Sequence, residues 1–102
     1  MNVIIQNQQS QLVSLCQRFH VKKLELFGSA ATNCFDPQTS DVDFLVVFHD
    51  MSPTEHANAY FGLLAELETL FNRPVDLVEI KAIDNPYFLE AVEETRTLLY
   101  AA

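Results

Sequence analysis

Basic residues are scarce: six lysines and arginines stand against fourteen aspartates and glutamates, a formal net charge of -8 over 102 residues. Proteins that grip a nucleic-acid polymer lay a basic stripe along the phosphate backbone, so no nucleic-acid partner is expected. Long apolar runs are missing as well. None approaches the roughly 18 residues that a membrane span requires, and no membrane partner is expected. With no basic-then-apolar leader at the N-terminus, the expected compartment is the cytoplasm. There are only two cysteines, Cys16 and Cys34, without metal-type spacing. In a reducing compartment they read as core or surface residues, not as a disulfide. Glycine is down to two as well, and no low-complexity tract is present beside 49% apolar residues. That excludes a disordered tail and predicts one compact domain over residues 1–102, too small for a second lobe.

The acids are unevenly spread. Residues 50 to 102 hold ten of the fourteen, with Arg73, Lys81 and Arg96 as the bases there. Such a half is either a solvated face that aids solubility or a docking surface for a basic partner.

What is present centres on the stretch from Gly28 to Phe48. It closes with Asp41 and Asp43 at the head of an apolar run, Phe44 to Phe48. Strand side chains alternate, so the two aspartates share one face, roughly 6.6 Å apart along the chain. Carboxylates so spaced can share a divalent cation. Upstream, the run Leu24 to Phe27 stops at Gly28-Ser29, a strand end whose backbone amides and hydroxyl suit a phosphate.

Around this stretch the pattern predicts a helix from about Gln6 to Phe19, with Leu12, Leu15, Cys16 and Phe19 inward, and a strand from Val21 to Phe27. Asp36-Pro37 returns the chain toward a second strand, about Val42 to Phe48, which past Asp43 is apolar on both faces. Ser52-Pro53-Thr54-Glu55 forms a capping box for a helix to about Phe71, whose expected inner stripe is Ala57, Tyr60, Phe61, Leu64, Leu67 and Phe71. Gly62 inside it costs about 1 kcal/mol unless a neighbouring backbone passes close. Val75 to Ile80 reads as a third strand with Asp76 near its start. Asp84-Asn85-Pro86 opens a last helix to about Glu94. Leu98, Leu99 and Tyr100 are either an edge strand or a final helical turn. His20, His49 and His56 read as surface residues, and Tyr60 and Tyr87 as core or interface aromatics. The order predicts an α/β (α+β) fold, a small mixed sheet with helices packed against it.

Gly28-Ser29, then Asp41-x-Asp43 heading a strand, then Asp76 on the next, resembles the minimal nucleotidyltransferases of the DNA polymerase beta superfamily. The similarity spans nearly the whole chain. It implies the nucleotidyltransferase fold, with Asp41, Asp43 and Asp76 holding two Mg2+ ions and Gly28 and Ser29 holding the phosphates of ATP. Asp76 would also orient the attacking hydroxyl. The chemistry suits these residues, because charge grows on both the entering and leaving oxygens and two metals about 3.5 to 4 Å apart stabilise both. Magnesium takes hard oxygen ligands.

The resemblance further implies an antitoxin that moves AMP from ATP onto a HEPN-type helical partner, in a homo- or hetero-oligomer. The alternative is a binding module of the same fold that neutralises its partner by contact. Ala30 and Ala31, standing where many members carry a basic residue, favour that alternative; the three aspartates favour the enzyme. An ordinary α/β domain whose aspartates merely cap strand entrances ranks below both, because acids converging near a core repel one another without a cation.

Overall fold

The computed structural model describes residues 3–31 and 41–102, the side chains of residues 3, 4, 29 and 30 excepted. Cys34 and the predicted break at Asp36-Pro37 lie outside the described residues. The helices are α1 (Val3–Asn7), α2 (Gln9–Arg18), α3 (Pro53–Phe71) and α4 (Pro86–Thr95). The strands are β1 (Val21–Phe27), β2 (Val42–Phe48), β3 (Val75–Glu79) and β4 (Thr97–Ala101), in the spatial order β3-β2-β1-β4. β1 is antiparallel to β2 and β4, while β2 and β3 are parallel, so the sheet is mixed as expected. A parallel pair needs a long crossover, and α3 supplies it.

Alternation along β2 explains the layering. Val42, Phe44, Val46 and Phe48 enter a core shared with Leu12 and Cys16 of α2 and with Leu63 and Leu67 of α3. Leu45 joins Phe27 and Val92 of α4 in a smaller cluster. The strand is therefore covered on both sides, which is why its run past Asp43 is apolar throughout. Each fully buried side chain of this kind contributes about 1.5–3 kcal/mol. Burial pushes the Cys16 thiol up to about 12, so it stays protonated and unreactive in the core.

The helix starts are set by their capping residues. Ser52 Oγ accepts the Glu55 N–H at 3.2 Å and donates to Glu55 Oε1 at 3.1 Å. Asn85 Oδ1 accepts the amides of Tyr87 and Phe88 at 2.9 and 3.3 Å, with Pro86 at the first helical position. Asn72, left-handed at φ 52°, ends α3. The terminal Leu98-Leu99-Tyr100 is the edge strand β4.

Four expectations are corrected. The N-terminal helix is two helices, broken at Gln8, where φ is -110° and no side chain caps the new start. The buried stripe of α3 is Ala59, Leu63, Leu67 and Phe71; Ala57 is exposed and Phe61 is 65% exposed. Tyr60, Phe61, Leu64 and Leu70 are further apolar residues beside that stripe, so periodicity alone left the inward face of the helix undetermined. His56 is half-buried, its Nε2 2.6 Å from Glu79 Oε1 and its ring edge-on to Phe48. Tyr87, read as a core or interface aromatic, is 81% exposed and so lies outside the core, whereas Tyr60 donates its hydroxyl to the Leu77 carbonyl and ties α3 to β3. Gly62 also has its reason. A Cβ there would lie 2.5 Å from Phe19 Cε1, so a ring, not a backbone, requires the glycine.

Candidate active site

Three strand ends build the site. Phe27, the last residue of β1, pairs with Asp43 near the start of β2, and Asp43 lies in register with Asp76 of the parallel β3. Neighbouring strands place paired side chains on one face of the sheet. The two carboxyls thus meet side by side. Asp43 is half-buried, while Asp76 and Asp41 are exposed. Burial, the Asp76 charge and hydrogen bond, and the Asp41 charge push the Asp43 carboxyl up from 3.8 to about 6. Asp43 is the strained member of an acidic cluster, as expected for like charges that share a site.

Gly28 comes directly after Phe27, at φ 72°, in the 3-10 turn Gly28–Ala31. A Cβ at this position would collide with Asp43 Oδ2. The glycine is thus required twice, for its left-handed backbone and for the room it gives the carboxylate. The amide of Gly28 is already committed, donating to Thr95 Oγ1 at 2.9 Å. Any backbone donors for a phosphate must therefore come from further along the turn. The Ser29 side chain lies outside the described residues.

Sequence reasoning missed the groups beneath this turn. Glu25 is buried on β1 and receives the Arg96 fork, Nε to Oε2 at 2.9 Å and Nη2 to Oε1 at 2.6 Å, with Lys23 Nζ 3.3 Å away. These cations hold the Glu25 carboxyl below its usual range against the opposing effect of burial. A single acid inside an apolar strand, Leu24-Glu25-Leu26, was the available signal, because a buried carboxylate needs a partner. A hollow of about 380 Å³ opens at the other ends of β2 and β3, lined by His49, Asp50, Met51, His56 and Glu79 among others. It contains none of the predicted site residues.

Residues 10–99 match the model of the nucleotidyltransferase domain. The chain belongs to that family. This nucleotidyltransferase is also 35% identical, over 80 residues and 78% of each chain, to a Methanocaldococcus jannaschii protein named "putative protein adenylyltransferase". Among solved structures, it superposes with a TM-score of 0.66 on a protein described as a "putative minimal nucleotidyltransferase", at 26% identity and covering 95% of both chains. A complex of the tri-AMPylated Shewanella oneidensis HEPN toxin with its MNT antitoxin matches at a TM-score of 0.64 and 19% identity, over 95% of this chain and 72% of that one. The last likeness is one of fold.

Among the described residues, no three His, Cys, Asp or Glu side chains are gathered into a ready-made cation site. Asp43 and Asp76 make a touching pair of hard oxygen donors, with Asp41 near enough for its charge to act on Asp43. A divalent cation would relieve that repulsion, so the donor chemistry of the nucleotidyltransferase fits magnesium.

Proposed function

We propose that this nucleotidyltransferase moves AMP from ATP onto a hydroxyl of a HEPN-type helical partner, as the cytoplasmic antitoxin of a toxin-antitoxin pair. The observation that carries the reading is the in-register Asp43–Asp76 pair beside the Gly28 turn. The named activity of the Methanocaldococcus relative and the AMPylated toxin of the Shewanella complex support the choice of AMP and of a protein acceptor. The working unit is then a hetero-oligomer.

In this reading Asp41 and Asp43 would hold two Mg2+ ions and Asp76 would hold one of them. When bound, the metals stabilise the charge that develops on the attacking and leaving oxygens. Ser29 would donate to the β and γ phosphates, and Gly28, its own amide held by Thr95, would allow their close approach beside the carboxylates. Asp76, exposed at the start of β3, can meet an acceptor hydroxyl arriving from solvent and orient it for in-line attack. That hydroxyl forms the new P–O bond, pyrophosphate departs, and the proton passes to solvent or to a nearby base.

The test is intact mass of the co-purified partner after incubation with ATP and Mg2+. Wild type should add AMP, and Asp76→Asn should lower the rate by about 100-fold or more. The competing reading, a contact-only antitoxin, is favoured by Ala30 and Ala31 in the phosphate turn. It requires that Asp76→Asn silence the partner as well as wild type does, with no mass added by either.

A further inference from the structure

We propose that the Thr95 hydroxyl is a positioning group for the nucleotide, holding the Gly28–Ala31 turn against Asp43 from the β4 side of β1. The inference rests on the nucleotide reading of that turn. β1 pairs with β4 as Leu26 with Thr97. Two residues further along that antiparallel register Gly28 faces Thr95, but Thr95 is the last residue of α4 and offers no strand carbonyl there. The Thr95 carbonyl is itself accepting the Thr97 hydroxyl at 3.2 Å. The side chain fills the gap instead, Oγ1 accepting the Gly28 amide at 2.9 Å across 67 residues of sequence.

The neighbouring residue secures this junction. Arg96 forks onto buried Glu25, three residues before Gly28, and its Nη1 reaches Glu93 at 2.5 Å. Phe88 of α4 packs edge-on against Phe27, the residue just before the turn, at 6.1 Å. The start of α4 and the residues at its C-terminal end therefore both clamp the end of β1. The β1–β2 ladder ends at Phe27 and Asp43, so strand pairing leaves the turn beyond Phe27 unfixed. Among the described residues, two contacts bear on its first residue, Asp43 occupying the space of the missing Cβ and Thr95 holding the amide, while Ala31 at its far end packs on the main core. Without the hydroxyl, the amide at φ 72° loses this acceptor and the Gly28 end of the turn is held less firmly against Asp43 and Asp76. Nucleotide affinity then falls, although Thr95 touches no nucleotide.

Three proteins test this: wild type, Thr95→Val, which keeps the shape and loses the acceptor, and Thr95→Ser, which keeps the hydroxyl. Two quantities are read, AMP-PNP affinity with Mg2+ by calorimetry and hydrogen exchange of the Gly28 amide by NMR without nucleotide. Thr95→Val should weaken AMP-PNP and speed Gly28 exchange by about five- to tenfold each, the equivalent of one hydrogen bond, with Thr95→Ser close to wild type. A purely structural threonine would lower the melting temperature of Thr95→Val and leave AMP-PNP affinity unchanged, which overturns the proposal. So does an equal affinity loss in Thr95→Ser. Should Thr95→Val not fold, wild type still decides, because a Gly28 amide exchanging as fast as an unprotected one shows that the latch is absent. If wild type binds no AMP-PNP while its Gly28 amide is protected, the nucleotide reading fails and the hydroxyl is only a sheet-end cap.

Discussion

Replacing Asp43 with asparagine should make the metal-free protein more stable at neutral pH, although it removes a residue assigned to the site. The Asp43 carboxyl is raised from 3.8 to about 6 by burial and by the negative charges of Asp76 and Asp41. The gap is about two pKa units at about 1.36 kcal/mol each, which gives a ceiling of about 3 kcal/mol. Asp43 is half-exposed, so solvent screening reduces the expected gain to about 1–2 kcal/mol. The sign is given by linkage: a carboxyl whose folded pKa is raised binds its proton more tightly in the native state. Its stabilising contribution is complete below about 3.8 and lost as the pH rises through about 6. Asparagine has nearly the same shape and no charge to desolvate. Thermal unfolding from pH 4 to 8, with chelator present, should show Asp43→Asn melting above wild type by about 4–8 °C per kcal/mol at pH 7, and the gap should close toward pH 4. A mutant that melts below wild type at pH 7, or by a constant amount at every pH, would refute the reasoning.

The same pair should answer to metal. Mg2+ at ten times its dissociation constant should add about 1.4 kcal/mol to wild type and nothing to an Asp43→Asn/Asp76→Asn double variant, read as a melting shift; equal shifts would rule out the site. Arg96→Ala takes the guanidinium fork from buried Glu25 and leaves it Lys23 as its cation; denaturant unfolding should show a loss of about 2 kcal/mol, partly restored by adding Glu25→Gln. No recovery in the double variant would mean the guanidinium acts through packing alone. Gly28→Ala forces a Cβ toward Asp43 Oδ2 and a strained φ, for a cost of about 1–2 kcal/mol. Adding Asp43→Ala should recover part of that loss, and strict additivity of the two would show that the collision is not felt.

The strands of this fold could be read from the sequence because each is short, apolar and bounded by turn residues. Val21–Phe27 and Val42–Phe48 emerge with the predicted bounds, and so does α3, fixed by Ser52 and Pro53 at one end and Asn72 at the other. The face of α3 could not be read, since Tyr60, Phe61, Leu63 and Leu64 are all apolar enough to be buried and only the packing chooses. Asp41, Asp43 and Asp76 could be proposed together from their places on successive strands. The register that brings Asp43 and Asp76 into contact and leaves Asp41 to one side depends on strand pairing, which local sequence does not encode. Glu25 with Arg96, and Thr95 with Gly28, are long-range partners 71 and 67 residues apart, and nothing in either segment names the other.

Passage of an AMP moiety from ATP to a partner protein is tested most directly by where the label comes from. The co-purified complex is given Mg2+ and ATP labelled in either the α or the γ phosphate, and the denatured proteins are counted after separation. Transfer to the partner from the α label alone, lost with Asp76→Asn, is the predicted result. Label arriving from the γ position, or none from either while the partner remains silenced, would contradict it.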